Sequence, residues 1–268
     1  MTGCALPSGP GARAHPTILA ACGLCGVNEV YRMGGAQAIA AFAYGTESVR
    51  AVDLVVGPGN PWVTEAKRQV FGQVGIDGLA GPSELTVIAG ADADPELVAL
   101  DLLAQAEHGA DSPLELIALE EGLLEAVVGA VERMARERPS VSDAALRVRH
   151  TSDPGEALAV AELLAPEHLE LIGSEIEQLA GEVRAAGCVF VGAGAATAFG
   201  DYVAGSNHVL PTGGAARFQS ALSPATFRRR MARVSLPGEA PARLAPAGAA
   251  LARAEGFPVH AESMERRA

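Results

Sequence analysis

The chain has 268 residues, 49% of them hydrophobic, with a formal net charge of -12 and a pI near 5.0. That length buries a sizeable core, and the acidic balance excludes general nucleic-acid binding, which needs clustered cations to neutralise phosphate. No apolar run reaches the roughly eighteen residues of a membrane span and no signal-type segment opens the chain, so the expected location is cytoplasmic, with no membrane or nucleic-acid partner.

Hydrophobic periodicity alternates between helical and strand-like segments. It predicts a helix over 16–26, a strand over 29–33, a helix over 35–44, a strand over 53–56 and a helix over 61–71. Gly34-Gly35 and Gly57-Pro58-Gly59 punctuate the strand exits. The first Cys pair, Cys22 and Cys25, forms a CxxC with no second pair to complete a zinc knuckle, and its apolar setting predicts two buried, inert thiols. Lys67 is the only Lys among 20 basic residues; this reads as coding bias and carries no mechanistic weight.

A second alternating stretch follows the AGPSE turn at 80–84. A strand is predicted over 85–89, a helix over 95–108, a strand over 114–119 and helices over 122–136, 155–164 and 175–186, with a further strand over 188–191. Gly213-Gly214 and the Pro-rich stretch 237–246 mark the change to a helical tail. Residues 226–268 carry eight Arg against four Glu, which reads as a solvated face or a subunit contact. The expected fold is therefore α/β: two parallel-sheet units that each look incomplete alone, 1–82 and 83–225, followed by a small helical C-terminal tail, 226–268, with a hinge near Pro82.

The chemistry concentrates in a few places. Gln105 and His108 are three apart at the end of a helix, so an amide oxygen and an imidazole can converge on one ion. Asp201 is expected in a Gly-rich loop after the 188–191 strand, where site residues collect at the carboxyl ends of parallel strands. Glu167 and His168 follow Pro166 as a helix start would; adjacent helical residues diverge by about 100°, so they would act at separate steps rather than as one dyad. The run Gly192 to Thr197 follows a strand but lacks the last small residue of GxGxxG and is rejected as a dinucleotide fingerprint.

GGAQAIAAFAYGTESV at 34–49, VVGPGNPWVTEAKRQV at 55–70, AGPSE at 80–84, DLLAQAEHGADSP at 101–113, APEHLEL at 165–171 and GDYVAGSNHVLPT at 200–212 together resemble histidinol dehydrogenase, from about Pro16 to the C-terminus. The resemblance implies oxidation of L-histidinol to L-histidine through L-histidinaldehyde with NAD, with one Zn²⁺ per site held by Gln105, His108, Asp201 and His260. It implies catalysis by Glu167 and His168, with His168 as base and Glu167 activating water. Substrate contacts would fall at Ser83, Gln105, His108, His168, Asp201, Glu255 and His260, and NAD contacts at Gln37 and Asn60. It further implies an incomplete Rossmann-like character for both α/β units, a homodimer in which Glu255 and His260 reach across the interface, and a substantial N-terminal portion preceding the matched region. Two other readings stay open: a dehydrogenase of another small polar alcohol, and a non-catalytic zinc-binding remnant or half of a split enzyme.

Overall fold

The structure, a computed structural model, describes residues 2–5 and 14–268. They fall into two compact units, 1–227 and 228–268.

The first unit opens with β1 (Thr2–Ala5), α1 (Pro16–Leu24), β2 (Glu29–Arg32), α2 (Gly35–Tyr44), β3 (Leu54–Val55), α3 (Pro61–Val70) and β4 (Gly75–Ile76). β1 pairs parallel with β2, and β3 with β4. Ile39 and Ala43 of α2 pack on Val55, Val70 and Val74 in a small core. Asn60 starts α3 by accepting the Val63 amide at 3.1 Å, and Pro61 takes the first helical position. The CxxC departs from expectation: Cys25 is exposed and Cys22 half-buried, because no residue of α1 is buried among the described residues.

A larger, wholly parallel sheet follows. Its strands are β5 (Leu85–Ala89), β6 (Leu114–Ala118), β7 (Leu146–His150), β8 (His168–Ile172) and β9 (Cys188–Val191), in the order β7-β6-β5-β8-β9. α4 (Pro95–Ala106) and α5 (Glu121–Ala135) cover one face, burying Leu85, Val87, Leu116, Leu102 and Val127. α6 (Pro154–Leu164) covers the other over Ile88, Ile117, Leu169 and Leu171. β5, β6 and β8 are buried at every position, as a sheet covered on both faces requires. Edge strand β7 is mostly exposed and carries Arg147 and Arg149, which hides it from a periodicity reading; Arg149 pairs with the buried Glu115 of β6. The helix expected over 175–186 is instead a single turn, α7 (Ser174–Glu177), followed by a 3₁₀ segment to Glu182. A short helix, α8 (Thr197–Tyr202), returns after β9.

The second unit holds two helices packed on each other, α9 (Ala240–Ala254) and α10 (Pro258–Glu265). Ala249, Ala252 and Ala261 form its core with Met264, and Arg253 donates two bonds to Glu265 at 2.8 and 2.7 Å. The Pro-rich stretch runs into this unit's first helix: Pro241 lies in the first turn of α9 and Pro246 inside it, carried by an otherwise Ala-rich helix.

Candidate active site

Ser83 and Glu84 precede β5, and Glu167 and His168 open its neighbour β8, with Leu85 opposite His168 in register. Parallel pairing thus brings two segments far apart in sequence together at the amino-terminal edge of the sheet. Ser83 Oγ donates to Glu167 Oε2 at 2.7 Å and the Glu84 amide to the same oxygen at 3.0 Å. Gln105, only 1% exposed on α4, donates from Nε2 to Ser83 Oγ at 2.7 Å. The His168 ring donates from Nδ1 to the Glu84 carbonyl at 3.0 Å, which fixes its tautomer and leaves Nε2 as the basic nitrogen.

Glu167 and His168 lie in a strand and its entry rather than at a helix start, and they are not kept apart: His168 Nδ1 is 3.4 Å from Glu167 Oε2, both side chains buried. The chain reaches this pair through Ala165, a buried non-glycine residue at φ 48°, where Pro166 forbids continuation of α6. Gly187 is packed so tightly that a Cβ would sit 2.6 Å from the Glu167 carbonyl oxygen. The neighbouring Glu84 carboxyl accepts the Gly213 amide at 2.9 Å, and burial pushes its pKa up.

A second group adjoins the first. His108, Asp201 and His208 present ligand atoms all within 4.8 Å of one another. Asp201 sits on α8 rather than in a loop, and the helix runs back from the carboxyl end of β9, so the site is not at the carboxyl edge of the sheet as expected. His108 Nδ1 donates to the Gln105 carbonyl at 3.2 Å and His208 Nδ1 to the Asp201 carbonyl at 3.3 Å, leaving an Nε2 lone pair on each ring. Two imidazoles and a carboxylate are the donor types of a zinc site. His208 was missed in the sequence; its signal was the Ser206-Asn207-His208 run seven residues beyond Asp201, one loop from α8.

One cavity of about 180 Å³ is lined by Ser83, Glu167, His108 and His208 on one side and by Gly57, Pro58 and Lys67 on the other. Gly57 and Pro58 also line an apolar cleft with Gly34, Ile39, Phe42 and Asn60 at the starts of α2 and α3. Gln37 is exposed on α2 and is not among the cleft's lining residues. Lys67, set aside in the sequence, is 2% exposed: it donates to the Gly57 carbonyl at 2.8 Å and pairs with Asp77, whose other oxygen accepts the Gly57 amide at 2.6 Å. Both backbone groups of Gly57 are thereby held. Glu255, the C-cap of α9, and His260 of α10 are exposed in the helical unit, where the His260 ring lies 5.3 Å from that of Phe257.

The fold and this edge define a parallel α/β protein with a buried carboxylate–imidazole pair beside a His/Asp/His cluster suited to a metal. A family model for histidinol dehydrogenase matches residues 3–268, and the chain belongs to that family. It is 46% identical over 267 residues to histidinol dehydrogenase of Zymomonas mobilis, covering 96% of this chain and 61% of that relative. It is 47% identical over 260 residues to the Thermus thermophilus protein of the same name, covering 95% and 63%. The crystal structure of histidinol dehydrogenase from Elizabethkingia anophelis superposes with a TM-score of 0.93 at 36% identity, over 99% of this chain and 63% of that one. The chain therefore spans about three fifths of the length of the relatives it matches. Among the described residues no helix is long and apolar enough to cross a membrane.

Proposed function

We propose that the chain carries the catalytic edge of an enzyme that oxidises L-histidinol to L-histidine through L-histidinaldehyde, using NAD and zinc. The observation that carries this reading is the bonded series Gln105–Ser83–Glu167–His168 opening on the cavity shared with His108. Conversion of a primary alcohol to an acid removes two hydrides, so it needs a base for the hydroxyl and then an activated water.

His168 fits the first task. With Nδ1–H committed to the Glu84 carbonyl, Nε2 takes the hydroxyl proton as the carbinol carbon is oxidised. Glu167 fits the second: Oε2 is anchored by the Ser83 hydroxyl and the Glu84 amide, and Oε1 takes a proton from the water that attacks the aldehyde carbon. Loss of the second hydride from the resulting hydrate, with a hydroxyl proton, gives the acid. NAD would supply the oxidant, two molecules per turnover accepting one hydride each; the apolar cleft at the starts of α2 and α3, with Asn60 and the Gly57–Gly59 turn, suits it, and Gln37 on α2 is a proposed contact.

The zinc ligands we assign are Gln105, His108, Asp201 and His260, and bound zinc would orient the substrate's amino and imidazole nitrogens by Lewis-acid coordination. The mutual approach of His108 and Asp201 supports their part in it. Ser83, with Gln105, His108, His168, Asp201, Glu255 and His260, would contact substrate, Glu255 matching a cationic amino alcohol in charge. Exposure of Glu255 and His260 in the helical unit is compatible with their delivery to a second subunit of a homodimer.

The test is NADH formation from L-histidinol by the purified chain, with zinc and after chelation. Zinc-dependent release of two NADH per histidinol is expected. Preference for a short diol over histidinol would instead assign a different alcohol, and absence of turnover from folded, zinc-loaded protein would leave the chain a binding remnant or one half of a split enzyme.

A further inference from the structure

α8 is six residues long and its N-cap is Ala196, which has no side chain to satisfy the exposed amides. The acceptor comes from the sheet instead. Glu170, in the middle of β8 and 1% exposed, accepts the Thr197 amide on Oε1 at 3.0 Å, and Thr197 is itself buried. Glu170 Oε2 has no hydrogen-bond partner among the described residues. An isolated buried carboxylate is costly, so the group needs a reason to be there. Opposite Glu170 in register stands Phe190 of β9, and a Cβ on Gly200 would lie 2.6 Å from the Phe190 ring. The helix is therefore seated on adjacent strands at two points, by an amide bond at Thr197 and by ring contact at Gly200. The next residue is Asp201, whose carboxylate meets His108, and whose carbonyl holds His208.

We propose that Glu170 is a positioning residue for the metal centre: it supplies from β8 the cap that α8 lacks, and so holds Asp201 at bonding reach of His108. This rests on the metal-binding reading of that cluster. Burial and the nearby charge of Asp101 push the Glu170 pKa up, which favours a neutral carboxylic acid that accepts from Thr197 without placing a bare charge in the sheet. Asp101 lies one turn before Gln105 on α4, so Glu170 lies near α4, which carries Gln105 and leads into His108, and α8, which carries Asp201.

The experiment uses the whole chain. Zinc affinity is measured by competition with a chromophoric chelator, and hydrogen exchange is followed over 196–203 in metal-free protein. Glu170→Gln keeps an acceptor oxygen and is expected within about twofold of the parent, whereas Glu170→Met removes it and is expected to weaken zinc binding by ~10-fold or more and to expose the α8 amides. Leu171→Ala, on the opposite face of the same strand, is the control: it lowers the melting temperature but leaves zinc affinity unchanged. Should Glu170→Met fail to fold, Thr197→Pro deletes the same bond from the other side; proline suits the first helical position, and Ala196 at φ -55°, ψ 145° already has the conformation that precedes proline. It too is expected to lose affinity about tenfold. Zinc binding by either variant equal to that of the parent, or weakened no more than by Leu171→Ala, overturns the proposal. If the parent itself binds no zinc, the metal reading fails, and hydrogen exchange alone decides: equal protection of α8 in parent and variants overturns the cap.

Discussion

Substituting Lys67→Met isolates one end of a buried ion pair that fastens the Gly57 turn. The side chains of Lys67 and Asp77 are 3% and 6% exposed. Removing the ammonium leaves a carboxylate with only the Gly57 and Gly78 amides, and leaves the Gly57 carbonyl without its donor. Breaking a buried pair from one side costs ~3–5 kcal/mol, and we take ~3 kcal/mol because two amides still solvate Asp77. Asp77→Asn is expected to cost a similar ~3 kcal/mol, as it strands the ammonium. The double variant has no stranded charge, so its loss should be ~4 rather than ~6 kcal/mol, a coupling of ~2 kcal/mol or about 30-fold in the unfolding equilibrium. Trp62, the only Trp of the chain, opens α3, so its fluorescence during urea unfolding reports the 1–227 unit and not the helical one. Single variants within ~0.5 kcal/mol of the parent, or losses that simply add, would refute a coupled clamp.

Further outcomes follow from the same geometry. Glu170 is held near pKa 8, above its ordinary 4.5, by burial and then by the charge of Asp101, which burial raises to about 6. At Glu170 the folded chain then keeps a proton that the unfolded chain has lost: its contribution to stability is full below pH 4.5, falls from there to pH 8 by at most ~5 kcal/mol, and is flat beyond, while Asp101 adds a smaller fall that is complete near pH 6. Urea titrations at pH 5 and pH 8 should show this fall in the parent and a much smaller one in Glu170→Gln; a parallel fall in both would contradict the assignment. His168→Asn should slow histidinol oxidation by ~10²-fold or more with little change in melting temperature, and unchanged turnover would remove it as the base. Gly187→Ala should displace the Glu167 carbonyl, costing ~1–3 kcal/mol by thermal unfolding and lowering turnover beyond what the stability loss explains; a neutral effect on both would mean that segment yields freely.

What the sequence reveals and what it conceals divide along physical lines. β5 and α2 occupy the predicted residues, because an unbroken apolar run and a Gly-bounded helical stretch each have one good solution. β8 was invisible because its two inward-facing polar residues, His168 and Glu170, break the apolar run that marks a strand covered on both faces. The same substitution of chemistry for packing misplaced the site. A run of strand, Gly-rich loop and acidic residue argues for the carboxyl edge of a sheet, and only the length of α8 and its direction of return carry Asp201 back toward His108.

The concealment has a common cause. Local rules read a helix from its own cap and its own periodicity, and α8 has neither; its cap is borrowed from β8 and its seat is the Phe190 ring of β9. Lys67 likewise looks accidental in composition, because its meaning lies in Asp77 and the Gly57 turn rather than in its neighbours. In both cases a residue that violates a local preference is compensated by a long-range bond, and in both the bonded segment borders the cavity at the amino edge or carries Asp201 into the separate one lined by Gln105 and His108. Buried polar residues with partners remote in sequence are therefore the part of this chain from which the proposed site is built and where pattern reading fails, since the energy that justifies them appears only once the sheet has assembled.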